Sequence, residues 1–291
     1  MGCPITPHVE RLVDLAIEED LGRGDATARA EVIGPVTARA DILAKEACVV
    51  CGLDLAEYVM TRVDPGIQFD ALVPDGNDVE SGTRIASVTG PARGILAAER
   101  TALNFLMRLS GIATLTRRYV RLVAATDTKA KVVDTRKTTP AWRLLEKYAV
   151  AMGGGLNHRM DLASGVLIKE NHIAITGSVK QAVTRARKFA THTVRIEVEV
   201  QSIEELKEAI EAGADIVLLD NMTPDQISHA VAEAAGKVII EASGGIDTTT
   251  VAKVAIAGVD YISIGKLTHS APSVDLSLLI EEAEIPEDME D

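Results

Sequence analysis

From residue 131 to residue 264, short apolar runs alternate with segments of helical period, and this alternation limits the fold more than any other feature of the chain. The apolar runs cover residues 131–134, 166–169, 194–200, 215–219, 238–241 and 261–264. Amphipathic segments lie among them at 141–152, 179–190, 203–212, 224–234 and 248–257. Strands that are apolar nearly throughout are buried on both faces, which requires a parallel sheet covered by helices. Six such units in succession favour an α/β barrel over an open doubly wound sheet.

The chain before this region has a different rhythm. Residues 8–19 have helical period and end near Gly22, and Arg23-Gly24-Asp25-Ala26-Thr27 reads as a loop. Short β-rich runs follow at 36–43, 48–50, 67–72 and 84–88, separated by turns such as Pro74-Asp75-Gly76 and Gly90-Pro91. A helix is expected at 54–63. Together these elements predict a small α+β domain with an antiparallel sheet. A long helix is expected at about 95–125, broken near Gly111. Residues 273–280 read as a last helix packing back on the first domain, and the acidic tail 281–291 as a solvated end. The expected domains are therefore 1–108 (joined by 270–291) and 109–269.

At 291 residues the chain is long enough for two cored domains. Its apolar share of 47 % and charged share of 25 % are those of a globular protein. A net charge of −13 argues against general binding to nucleic acid or an anionic membrane, and 3 % aromatic residues argue against base-stacking platforms. No apolar run approaches the roughly 20 residues of a membrane span. The N-terminus lacks a secretory pattern, so a cytoplasmic location is expected. Met1-Gly2-Cys3-Pro4-Ile5-Thr6 fits only a loose acylation pattern that arises by chance. Cys48 and Cys51 form a CxxC with no second ligand pair, and they read as small packing residues in a reducing compartment.

In an α/β barrel the chemistry sits at the C-terminal ends of the strands. Here the runs end at Asp134-Thr135-Arg136-Lys137, Lys169, Glu197-Val198-Glu199, Asp220-Asn221, Ser243-Gly244-Gly245 and Ser263-Ile264-Gly265. Glycines after the last two strands suit a phosphate, because backbone N–H groups can then approach its oxygens. Arg136, Lys137, Arg159 and Lys169 are too many cations for one monophosphate and imply a second anion, a carboxylate or a pyrophosphate. His158, beside Arg159, reads equally as a hydrogen-bond donor or a core histidine. Glu199 and Asp220 have several uses among these cations: binding Mg²⁺, holding ribose hydroxyls, stabilising developing positive charge, or neutralising the cluster. Gly153-Gly154-Gly155 either lets backbone approach a ligand or turns the chain toward His158.

These motifs resemble those of the quinolinate phosphoribosyltransferase family, the type II phosphoribosyltransferases. The resemblance runs nearly end to end, through residues 18–27, Glu99-Arg100-Thr101-Ala102-Leu103-Asn104, residues 134–140, Asn157-His158-Arg159, Lys169-Glu170-Asn171-His172, Leu219-Asp220-Asn221-Met222, residues 241–245 and residues 265–270. It implies an N-terminal open α+β sandwich beside an irregular α/β barrel. It also implies transfer of a phosphoribosyl group from phosphoribosyl pyrophosphate to quinolinate, with decarboxylation, in NAD biosynthesis. By the same resemblance Arg100, Arg136, His158, Arg159 and Lys169 surround quinolinate, Lys137 and its neighbours face the pyrophosphate, and Thr135 is a further substrate-binding residue. Lys137, Lys169, Glu199 and Asp220 are the expected catalytic set. Ser243, Gly244, Gly245, Ser263, Ile264 and Gly265 cradle the 5′-phosphate. Mg²⁺ is expected to be held mainly by substrate, with Glu199 and Asp220 as ligands or just behind them. A homodimer or larger homo-oligomer is implied, with Arg100 crossing between subunits.

Overall fold

The structure, a computed structural model, describes residues 2–284. It divides into two compact units, the first comprising the described residues of Met1–Leu115, Pro140–Gly154 and Ala271–Asp291, the second Thr116–Thr139 and Gly155–Ser270. Among the described residues, no helix is long and apolar enough to cross a membrane.

The first unit opens with α1 (Pro7–Leu21), whose Thr6 side chain accepts from the Val9 N–H and whose first residue is proline. The predicted loop after Gly22 is shorter than expected. The Asp25 side chain accepts from the Ala28 N–H and starts α2 (Ala26–Glu31). Then come β1 (Thr37–Ala44), β2 (Cys48–Val49), α3 (Leu53–Val63), β3 (Gln68–Ala71), β4 (Asp78–Val79) and β5 (Arg84–Pro91). The long helix α4 (Ala92–Ala124), which belongs to this unit as far as Leu115 and to the second unit from Thr116, is unbroken at Gly111, contrary to expectation. The glycine there accommodates a close neighbour: a Cβ would fall on the Pro272 carbonyl oxygen. The helix α5 (Arg143–Met152) also belongs to this unit.

The expected C-terminal helix is a strand. The twelfth strand of the chain, β12 (Leu276–Glu284), pairs antiparallel with β1 along its whole length, giving a sheet ordered β12-β1-β5-β3. Val274, Leu276 and Leu278 are buried at a spacing of two, the period of a strand, and their apolar faces decide the conformation. The acidic tail lies outside the described residues from 285 onward.

Cys48, Cys51 and Cys3 are free and buried. Burial, helped by nearby carboxylates, pushes the Cys48 thiol up to about 11 and the Cys3 thiol up to about 12. Thiols so shifted stay protonated and act as packing groups.

The second unit carries β6 (Lys131–Val133), β7 (Val166–Ile168), α6 (Glu170–Thr176), α7 (Val179–Phe189), β8 (Ile196–Val200), α8 (Ile203–Ala212), β9 (Ile216–Asp220), α9 (Pro224–Ala234), β10 (Ile239–Ser243), α10 (Val251–Ile256), β11 (Tyr261–Ser263) and α11 (Lys266–His269). Its six strands form one parallel sheet in the order β6-β11-β10-β9-β8-β7. At the β6 edge the backbone of Leu156 pairs with Val133, making the barrel irregular. Serine and threonine caps define the helix starts: Ser178, Ser202 and Thr223 each accept from a backbone N–H three residues on. Inward residues recur every second position along the strands, so Glu197 and Glu199, Leu218 and Asp220, and Glu241 and Ser243 rise in layers toward one end.

Candidate active site

At the C-terminal ends of the barrel strands lies a cavity of about 460 Å³. The β6 end supplies Thr135, Arg136 and Lys137, and the segment after Leu156 supplies His158 and Arg159. β7 and β8 supply Lys169 and Glu199, β9 supplies Asp220, and the last two strands supply Ser243, Gly244, Gly245 and Ser263. Residues as far apart in sequence as Thr135 and Ser263 thus meet because each sits just past or near the end of a parallel strand. Ile264 and Gly265 do not line the cavity. Ile264 is buried, and Gly265 packs against the Lys137 side chain. Arg100 is exposed on α4 in the first unit.

Asp134, absent from the predicted set, anchors the site's loop. It is fully buried, and its carboxylate accepts from the Asn157 side chain (2.7 Å) and the His158 N–H (2.8 Å). The loop after β6 is held at its other end by Thr268, whose hydroxyl donates to the Lys137 carbonyl (2.7 Å). His172 has a similar supporting role: its Nδ1 accepts from the Lys169 N–H (2.9 Å) where the chain leaves β7 for α6. The triple glycine turns the chain. The Gly153 and Gly154 N–H groups donate to the Ala149 and Ala151 carbonyls and so finish α5.

The cations are only partly matched. Lys169 Nζ donates to Glu199 Oε2 (3.2 Å), and Arg159 Nη1 to the Gly165 carbonyl (2.9 Å). The Nε atoms of Arg136 and Arg159 are buried without a hydrogen-bond partner. Burial first, and then the neighbouring charge of Arg136, lowers the Arg159 pKa from its ordinary value. Two adjacent guanidinium groups that repel each other and keep unspent donors form a receptor for an anion with more than one acidic group.

Gly244 has φ +94°, and a Cβ there would lie 2.8 Å from the Asn221 backbone nitrogen. Asn221 is itself left-handed at φ 56°, and its side chain donates to Asp220 Oδ2 (2.8 Å). Gly244→Ala is therefore expected to lose about 1–3 kcal/mol of stability. The check is a thermal melt, and an unchanged melting temperature would show that the loop has room for a side chain.

At the floor of this cavity His158, one of the expected substrate contacts, meets Glu197 and Glu241, which the expected site set lacks. His158 Nε2 lies 3.0 Å from Glu197 Oε2 and 3.7 Å from Glu241 Oε1. Glu197 and Glu241 are only 5 % and 4 % exposed. The period-two pattern carried the signal, since they stand two residues before Glu199 and Ser243 on the same strand faces. Burial first, then the charge of Glu197, raises the Glu241 carboxyl to about 7, with Asp134 adding to the rise; His158 and the Ser263 hydroxyl oppose it.

The comparisons agree along most of the chain. Residues 25–110 match the family model "Quinolinate phosphoribosyl transferase, N-terminal domain", and residues 112–279 match "Quinolinate phosphoribosyl transferase, C-terminal domain". A probable nicotinate-nucleotide pyrophosphorylase [carboxylating] of Bacillus subtilis is 42 % identical over 93 % of this chain and 93 % of the relative. Its counterpart in Methanocaldococcus jannaschii is 44 % identical over 92 % of this chain and 95 % of the relative. The solved structure of the nicotinate-nucleotide pyrophosphorylase from Francisella tularensis superposes with a TM-score of 0.89 at 42 % identity, covering 97 % of this chain and 99 % of that one.

Proposed function

The chain belongs to the quinolinate phosphoribosyltransferase family, and on that premise we propose that it transfers the phosphoribosyl group of phosphoribosyl pyrophosphate to quinolinate. The products are nicotinate mononucleotide, pyrophosphate and carbon dioxide, in de novo NAD biosynthesis. The observation that carries this reading is the pair of unpartnered guanidinium Nε atoms, Arg136 and Arg159, in a cavity that also holds Lys137 and Lys169. Quinolinate offers two carboxylates to such a set, and planar guanidinium forks fit carboxylates.

In this mechanism Arg136, Arg159 and Lys169 hold the dicarboxylate so that its ring nitrogen faces the ribose carbon. As the bond to pyrophosphate breaks, positive charge grows on the ribose, and Glu199 and Asp220 stabilise that charge from the strand ends of β8 and β9. Lys137 neutralises the leaving pyrophosphate. The loops at Ser243-Gly244-Gly245 and Ser263 receive the 5′-phosphate. Glu199 and Asp220 have oxygen donors of the kind Mg²⁺ takes, on neighbouring strands of one cavity, so they fit as ligands or as groups just behind substrate-bound Mg²⁺. When bound, the ion screens the pyrophosphate charge. The new quaternary ring nitrogen then stabilises the electron pair left at C2 when carbon dioxide departs, which removes any need for a covalent nucleophile.

In this reading the protein works as a homodimer or larger assembly, and Arg100 of one subunit completes the quinolinate site of its partner. The three buried free thiols suit a reducing cytoplasm. Incubation with quinolinate, phosphoribosyl pyrophosphate and Mg²⁺ is expected to release carbon dioxide and pyrophosphate in equal amounts, whereas nicotinate yields no carbon dioxide. Turnover of nicotinate without turnover of quinolinate would overturn the assignment.

A further inference from the structure

We propose that Glu241 is the proton donor that completes the decarboxylation, and that the lower half of the barrel is the path by which it is recharged. The inference rests on the reaction proposed above. Cleavage of the C2–carboxylate bond leaves an electron pair on C2 as carbon dioxide departs. That pair must take a proton to give nicotinate mononucleotide. In the balanced step, the Glu241 O–H bond breaks, a C2–H bond forms, and a Glu241 carboxylate remains. A solvent proton then restores the acid.

Three observations single out Glu241. It lines the substrate cavity together with Arg159 and Lys169. Its Oε1 is buried without a hydrogen-bond partner and stands 3.7 Å from His158 Nε2, too far for a hydrogen bond. It also lines a second cavity of about 450 Å³, which shares His158 and Arg159 with the first and has Glu197 in its own wall. That second cavity reaches Thr193 and Arg195, exposed residues just before β8, at the opposite ends of the strands. Water can therefore reach Glu241 from below while substrates fill the space above.

The neighbours fit the role. On β8 Glu197 faces Glu241, on β9 the lining residues are Leu218 and Asp220, on β11 Ser263, and Asp134 stands past the end of β6. Burial against Glu197 keeps the Glu241 proton in place near neutral pH, at about 7. His158 is not the donor. Its Nδ1 accepts from the Arg159 N–H (2.7 Å), so the ring proton sits on Nε2 and points at Glu197 Oε2. The same arrangement disfavours a metal ion among His158, Glu197 and Glu241, although their ligand atoms lie within 4.8 Å of one another. A metal-bound Nε2 would put the proton on Nδ1, directly against the Arg159 N–H.

The test is a single turnover with excess enzyme, following pyrophosphate release and nicotinate mononucleotide formation separately. Glu241→Gln keeps the shape and removes the acid. It is expected to slow nucleotide formation about 10²-fold, with quinolinate KM within about twofold of wild type and the ribosylated dicarboxylate accumulating. In the wild-type enzyme, nucleotide formation is expected to fall as pH rises through about 7, because the raised carboxyl loses its proton there. This arm stands even if the variant fails to fold. A flat wild-type rate from about pH 6 to 8.5, spanning the Glu241 titration, overturns the proposal, as does a Glu241→Gln enzyme that forms nucleotide at the wild-type rate. A loss confined to quinolinate KM, or restoration of the purified enzyme only by a tightly bound transition metal, overturns it too. If wild type does not turn over quinolinate at all, the functional assignment itself fails. Turnover by both enzymes removes only the role of Glu241.

Discussion

Arg136→Ala and Lys169→Ala are each expected to lower kcat/KM for quinolinate by about 10²–10³-fold, the loss of one charge-assisted contact in a site that excludes water. Both variants are expected to remain folded. Arg136 repels Arg159 and has an unpartnered Nε, so its removal relieves the fold. The Lys169 side chain is half exposed, and its ion pair with Glu199 is of the kind that contributes little to stability. Arg136→Lys keeps the charge but loses the planar fork, and an intermediate rate is expected. The measurement is steady-state kinetics beside a thermal melt. Near-normal quinolinate turnover in either alanine variant would sink the dicarboxylate site. The same variants test Arg100. Mixed with Lys169→Ala protein, Arg100→Ala protein should regain roughly a quarter of wild-type activity if each active site of a two-fold dimer takes Arg100 from its partner. No recovery despite proven subunit exchange would mean that each chain builds its site alone.

Gly111→Ala is expected to lower stability by about 2 kcal/mol, even though alanine is the better helix former. Propensity alone favours the alanine by about 0.5–1 kcal/mol in the middle of α4. Against it, the new Cβ would fall on the Pro272 carbonyl oxygen, with the Pro272 carbonyl carbon and the Ser273 Cα both at 3.0 Å. These are backbone atoms, which cannot swing aside as a side-chain tip can. The segment they belong to leads directly into β12, which is fixed along β1. Overpacking of this kind costs about 1–3 kcal/mol or more and outweighs the helix term. The expected drop in melting temperature is several degrees for a chain of this size. A melting temperature above that of wild type would show that residues 272–273 give way.

The same glycine shows where sequence reading stops. In sequence, Gly111 inside a long apolar period looks like a break. Its purpose depends on Pro272, more than 150 residues away, which no local pattern reveals. The C-terminal segment failed for a related reason. Residues 273–280 are compatible with a short helix, and only the free edge of β1 turns them into a strand. Asp25 could have been read correctly, because an aspartate three residues before a helical N–H is a cap signature.

The site divides along similar lines. Arg136, Lys137, Lys169, Glu199, Asp220 and Ser243 follow from one rule, that parallel strands in a barrel present their C-terminal ends to a common cavity. Glu197 and Glu241 obey the period-two rule equally well, yet acidic residues inside apolar strands carry no meaning until it is known what they face. Only the folded barrel places them around His158 and opens the cavity beneath them to solvent.

The sequence by itself determined the alternation of strands and helices, the parallel sheet and the cation-rich strand ends, because these depend on periodicity and on short motifs. The tertiary structure alone decided which carboxylate keeps a proton, which arginine donors stay unspent and which glycine meets a backbone oxygen. Those outcomes depend on burial and on distances between residues far apart in the chain, and only the packed fold sets them.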